Sequence, residues 1–148
     1  MFDVAVVGSA NLDLVARAPR IPVPGETLLA DSYAEHAGGK GLNQAVAAAR
    51  SGAGVVFVGA VGDDAAGEQL RGVLTADGID ASNVARSDQP TGRALIVVDA
   101  RGENSIVVVP GANSQVALRR GLPPSRVVLA QLEIPIATVI AAFTALPT

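Results

Sequence analysis

The 148 residues include no cysteine and no tryptophan. Disulfides and thiolate metal sites are therefore excluded, and a reducing compartment is compatible with the composition. The single histidine, His36, cannot make a histidine-based metal centre. Aromatic residues amount to 3% while hydrophobic residues reach 49%, so the core has to be built from Val, Ala, Leu and Ile. That palette suits a parallel sheet covered by helices, whose strands read as continuous apolar runs. Neither sign of charge dominates: 11 basic and 14 acidic residues leave a net charge of -3. The basic residues are scattered, and the one adjacent pair, Arg119-Arg120, reads as a solvated turn. No nucleic-acid footprint is expected, because that requires a clustered basic face. Long apolar runs are lacking too. Residues 134–146 fall short of the roughly 18 residues a membrane span needs, and prolines 135 and 147 bracket them, so no membrane partner is expected. Met1-Phe2-Asp3 leads straight into an apolar strand, so no signal peptide is expected.

The length fits one domain or a piece of a larger one. Residues 4–8 read as a buried strand ending in a glycine turn, and residues 55–61 as a second buried strand. A weakly alternating strand is expected over residues 12–17, and an extended pattern resumes over residues 26–36 after the Pro24-Gly25 turn. Two helices follow from the pattern, one opened by Gly38-Gly39-Lys40-Gly41 and stopped at Gly52, the other over residues 64–77 and ended by Gly78. This alternation argues for a parallel α/β sheet. Residues 92–99 and 104–109 read as a hairpin around Gly102, which with residues 12–36 would make a small accessory sheet. Residues 126–132 return to the main sheet and residues 135–146 form the next helix. Residues 114–125 resist assignment, because Gly121 and Pro123-Pro124 spoil any helix.

Three segments offer chemistry. In Gly38-Gly39-Lys40-Gly41-Leu42-Asn43-Gln44-Ala45, bare backbone N–H groups at a helix start join Lys40 and Asn43, which share a face. That surface suits hydroxyl oxygens. A plain glycine turn feeding a helix is an equal reading. It is not a nucleotide-binding P-loop, since Ala34 and Gly41 stand where glycine and Ser/Thr are required. Asn11 and Asp13 face one way just past the first strand, where α/β sheets place ligands, and could grip adjacent hydroxyls. An Asx-type turn is the alternative. Glu133 of Gln131-Leu132-Glu133 would face the same crevice, or simply lead the helix after Pro135. Asp63-Asp64 looks like a metal pair, but helix capping explains it better. His36 reads as structural or peripheral.

In order along the chain, Gly8-Ser9-Ala10-Asn11-Leu12-Asp13, Pro24-Gly25-Glu26-Thr27 and the glycine-lysine-asparagine segment resemble the opening of the ribokinase branch of the PfkB carbohydrate kinases. Val61-Gly62-Asp63-Asp64 with Gly67, Thr91-Gly92, Gly102-Glu103-Asn104, Gly111-Ala112-Asn113 and Gln131-Leu132-Glu133 continue the resemblance. It implies a ribokinase-like α/β fold: a mostly parallel central sheet flanked by helices, with a small β lid from segments of about residues 12–36 and 91–110, the whole truncated. Residues 1–148 would then be the amino-terminal part of the kinase domain. The resemblance implies ATP-dependent phosphorylation of ribose. Asn11, Asp13, Gly38, Gly39, Lys40, Asn43 and Glu133 would hold the sugar, and Ala94 and Ile96 would cover it. ATP, Mg2+ and a monovalent cation (K+) are the implied cofactors, with sites mostly outside this chain. A homodimer through the lid and a cytoplasmic location are also implied.

Two departures stand against this. Residues 114–126 are shorter than the resemblance requires. The Gly-Ala-Gly-Asp segment that supplies the family's anion hole and aspartate base is absent. The chain alone is therefore expected to be inactive, with no catalytic residue of its own. A non-catalytic fragment, a sugar-binding module, or a kinase for fructose or a phosphosugar are the alternatives.

Overall fold

A strand covered on both faces has no place for exposed polar side chains, so the apolar runs become the middle of a sheet. The computed structural model describes residues 1–145. In chain order the elements are β1 (Phe2–Val7), β2 (Asn11–Arg17), β3 (Ser32–Gly38), α1 (Lys40–Arg50), β4 (Val55–Gly62), α2 (Ala65–Ala76), β5 (Asp80–Ser87), β6 (Gly92–Val98), β7 (Asn104–Val109), a 3-10 turn (Gly111–Gln115), β8 (Ser125–Ala130) and α3 (Ile136–Thr144).

The central sheet runs β5-β4-β1-β8 with every neighbour parallel. Alternate residues of β1 and β4 feed opposite faces. Val6 and Phe57 pack with Leu42 of α1 and with Leu70 and Leu74 of α2. Ala5, Val7, Val56 and Val58 pack with Val116 and with Ala142 of α3. Both faces are thus covered, as the apolar runs require. Gly39, at φ 90, immediately precedes α1. The Asp64 side chain caps α2 by accepting from the Gly67 N–H at 2.8 Å, so Asp64 serves the helix start. Asp63 instead pairs with Arg86 at the surface.

The second sheet runs β3-β2-β6-β7. β2 and β6 are parallel and the outer pairs antiparallel. Asp99 holds the β6–β7 connection by accepting from the N–H groups of Arg101 and Glu103 at 2.8 and 3.0 Å. Every residue of β7 is exposed. The two sheets are joined where β1 runs on into β2, and again at Asp64. That carboxylate also accepts from the Thr91 hydroxyl at 2.6 Å and the Thr91 N–H at 2.9 Å.

Three differences from the sequence pattern have physical causes. β5 carries Asp, Ser, Asn and Arg, residues that do not signal a strand, and only Val84 and Ser87 are buried along it; its pairing to β4 imposes the conformation. The extended stretch expected over residues 26–36 becomes a strand only from Ser32, because the turn at Pro24-Gly25 is followed by irregular chain. Residues 114–125 contain the end of the 3-10 turn, then irregular backbone that buries Val116 with Val56, Val58 and Ala142, and end at the first residue of β8. Of the helix expected over residues 135–146, Leu146 lies outside the described residues. Among the described residues no helix is long and apolar enough to cross a membrane.

Candidate functional site

The site begins where β1 stops. Gly8-Ser9-Ala10 carries the chain from the central sheet into β2, and the first turn of α1 sits directly on this crossing. The Leu42 N–H donates to the Ser9 carbonyl at 2.9 Å. A Cβ at position 41 would lie 2.6 Å from the Ser9 nitrogen and 2.7 Å from the Gly8 Cα, so only glycine allows this approach.

Glu133, in the loop between β8 and α3, closes over that junction. It accepts from the Ser9 hydroxyl at 2.7 Å, from the Lys40 N–H at 3.0 Å and from the Lys40 ammonium at 2.5 Å. Burial pushes its carboxyl up. The hydrogen bonds from the Lys40 side chain, Ser9 and the Lys40 N–H, with the Lys40 charge, outweigh burial and hold it below the ordinary glutamate value. The carboxylate also neutralises the positive end of α1.

Asp13 is half-buried on β2, opposite His36 of β3 on one side and Ala94 of β6 on the other. Burial and the nearby Glu133 charge raise its carboxyl above the ordinary aspartate value, against a lowering contribution from His36. The carboxylate lies against the bare Cα of Gly38, where an added Cβ would meet Oδ2 at 2.1 Å. Two acids thus share one crevice with their proton affinities pushed apart, Glu133 down and Asp13 up.

Asn11 is 3% exposed and accepts at Oδ1 from Asn113 Nδ2 at 2.7 Å. Register places Ala94 beside Asp13 and Ile96 beside Val15, on the sheet face that carries Asp13. Asn43 lies in the first turn of α1, exposed, with no side-chain hydrogen bond among the described residues. A cavity of about 450 Å³ opens between β7, the 3-10 turn and the loop before α3. Asn11 and Glu133 line it, together with Val108, Pro110, Asn113 and Leu132. Another cavity, of about 330 Å³ between β5 and residues 117–121, holds none of these groups.

The structure therefore links Gly38, Asp13, Glu133 and Lys40 by direct contact or nearby charge and sets Gly39 against the Asn11 backbone, while Asn11 and Glu133 line the cavity. Ala94 and Ile96 lie on the sheet face that carries Asp13, and Asn43 in the first turn of α1; none of the three lines the cavity. Sequence reasoning did not assign Ser9 or Asn113 to the site. A buried polar residue in a turn, as Asn113 is, leaves no periodic signal. Among the described residues no group of three or more His, Cys, Asp or Glu could hold a metal ion. The residues present do not by themselves fit a divalent cation.

A parallel sheet whose strands end at a carboxylate-lined crevice, beside a second small sheet, defines an α/β protein with its site at the carboxyl ends of the strands. Comparison with known proteins narrows the class. The family model described as pfkB family carbohydrate kinase matches residues 1–124. The chain is similar to the bifunctional ribokinase/ribose-5-phosphate isomerase A of Fructilactobacillus sanfranciscensis, 42% identical over 151 residues that cover 97% of this chain and 28% of that protein. It is similar to the ribokinase of Haemophilus influenzae, 41% identical over 141 residues that cover 90% of this chain and 46% of the relative. Among solved structures, Arabidopsis thaliana ribokinase complexed with ribose and ATP superimposes with a TM-score of 0.83 at 34% identity, covering 97% of this chain and 49% of that one. The chain belongs to the pfkB family of carbohydrate kinases. It spans about half the length, or less, of these relatives.

Proposed function

We propose that this chain forms the sugar-binding half of an ATP-dependent kinase that transfers the γ-phosphoryl group to the primary hydroxyl of ribose. The observation that carries the reading is Glu133, which binds Lys40, lies near enough to Asp13 to raise its carboxyl, and lines a cavity with Asn11. Two carboxylates accept strong hydrogen bonds from a polyol, and the Lys40 ammonium and the backbone N–H groups at the start of α1 donate to its oxygens. Carboxylates repel phosphate, which favours a free sugar over a phosphosugar. Likeness to a protein solved with ribose and ATP supports the choice of sugar and nucleotide.

In this reading Asn11, Asp13, Gly39, Lys40, Asn43 and Glu133 hold the hydroxyls. The second sheet acts as a lid, with Ala94 and Ile96 over the sugar. Without sugar, Lys40 occupies Glu133; an incoming hydroxyl shares that carboxylate. The chain's own contribution to phosphoryl transfer is orientation of the acceptor and exclusion of water, since such catalysis is mostly positioning and electrostatics. ATP, Mg2+ and K+ are expected to bind mostly outside this chain, and a homodimer through the lid is expected of the intact protein. The test is turnover of ribose, deoxyribose, fructose and fructose phosphates by the full-length protein with ATP. Preference for ribose supports the reading. Preference for a phosphosugar overturns the substrate, and no transfer to any sugar overturns the enzyme.

A further inference from the structure

The Ala10 backbone N–H can only donate, and it points at the Asn113 side chain at 3.0 Å. The atom it meets must therefore be the amide oxygen of Asn113, which turns the Asn113 amino group the other way. That amino group lies 3.2 Å from the Ala10 carbonyl and 2.7 Å from the Asn11 side chain. As a donor, it must face the oxygen of Asn11 rather than its nitrogen. The orientation of the Asn11 amide is thus dictated, through one intermediary, by a backbone group that cannot change sign. Asn113 itself is 2% exposed, and Gly92 lets the pair close up, since a Cβ there would lie 2.2 Å from Asn113 Nδ2 and 2.4 Å from Asn11 Oδ1. Both asparagines border the same cavity, and the remaining end of the Asn11 amide, its amino group, takes no protein acceptor among the described residues.

We infer that Asn113 is a positioning residue that locks the Asn11 amide with its amino group toward the crevice, making position 11 a donor to a sugar oxygen. The inference rests on the sugar-site reading of that crevice. Asp13 and Glu133 offer acceptors there; a locked Asn11 sets a donor next to them, and a hydroxyl group needs both. Reversing the amide would place a third acceptor among the carboxylates.

The experiment measures ribose binding by calorimetry on the full-length protein, for wild type, Asn113→Asp, Asn11→Ala and the double variant. In Asn113→Asp one oxygen still accepts from the Ala10 N–H, but nothing donates to Asn11, whose amide then turns over. Ribose affinity should fall about tenfold, while affinity for ATP stays within about twofold. In the Asn11→Ala background the same substitution should cost less than about twofold, because its route to the sugar has been removed. Wild-type ribose affinity in Asn113→Asp, or an equal loss in both backgrounds, overturns the inference. If Asn113→Asp does not fold, Asn11→Asp decides: it keeps an oxygen facing Asn113 and puts a carboxylate oxygen where the outward amino group was. Wild-type affinity in that variant overturns the inference, and a loss of about tenfold at an unchanged melting temperature supports it. A wild-type protein that binds no free sugar overturns the sugar reading and this inference together, before any variant is compared.

Discussion

Glu133 and Lys40 stand 93 positions apart, yet the one carboxylate accepts from both the backbone N–H and the ammonium of that lysine, at 3.0 and 2.5 Å. The contact ties the loop before α3 to the first residue of α1, across the ends of β1 and β8. It is a contact of position more than of strength. The Lys40 side chain is 69% exposed, so the ion pair contributes no more than about 1 kcal/mol.

Glu133→Gln should therefore lower thermal stability only slightly at neutral pH and weaken sugar binding much more. Glu133 is held below its ordinary value of 4.5 in the folded protein. A carboxyl lowered by folding stabilises above that ordinary value and loses its contribution as pH falls through the folded one. The gap in melting temperature between wild type and Glu133→Gln should shrink on acidification from about pH 7 to about pH 3. A gap independent of pH would show that the carboxylate's ionisation plays no part.

Asp13 carries the opposite sign. Its carboxyl is raised above 3.8, first by burial and then by Glu133. The fold favours its protonated form, so its charge costs stability at every pH above the ordinary aspartate range. Asp13→Asn should raise the melting temperature of the sugar-free protein at neutral pH by about 1–3 °C. Asp13→Ala should weaken sugar affinity by about tenfold to a hundredfold, with Asp13→Asn recovering part of that loss. A marked drop in melting temperature with unchanged affinity would make Asp13 a turn residue and remove it from the sugar site.

Gly38→Ala probes the same carboxylate from the other strand. The new methyl would collide with Asp13 Oδ2, while the backbone at Gly38 is ordinary strand that alanine adopts freely. The side chain of Asp13 must move. Affinity should fall toward that of Asp13→Ala, and the two substitutions together should lose little more than either alone. Additive losses would mean that glycine serves something other than seating this carboxylate.

How much of this was legible in the sequence follows from what each residue answers to. Runs such as Val55-Val56-Phe57-Val58 answer to burial on both faces, and they announce β4 directly. The capping of α2 by Asp64 is a local rule and reads just as plainly. β5 answers to β4 rather than to its own composition, so it was invisible. The Asn11, Asp13 and Glu133 candidates were readable as polar groups past strand ends. Their shared crevice depends on contacts more than a hundred positions apart, as between Ser9 and Glu133 at a separation of 124, which no local pattern encodes. Asn113 was missed for the same reason.

Asp64 joins the two sheets, and its removal tests that joint. It accepts from Gly67 at the start of α2 and from both the hydroxyl and the N–H of Thr91 just before β6. Asp64→Ala should cost about 2 kcal/mol in urea unfolding, from the lost cap and the unmet Thr91 donors. Asp64→Asn, also a good cap, should cost less. Equal losses would mean that the bonds to Thr91 contribute little.

Beside Glu133, the Gly8–Ser9 crossing is pressed against Gly41, whose N–H donates to the Ser9 hydroxyl at 3.3 Å. Backbone packed this closely leaves no room for a side chain at position 41. If the crevice holds a sugar as proposed, Val108 and Leu132, which face the cavity, are the positions where size can change. Val108 is 46% exposed and Leu132 80% exposed, so either can change size with little penalty to folding. An engineer seeking a new sugar should randomise those two positions and leave the glycines alone.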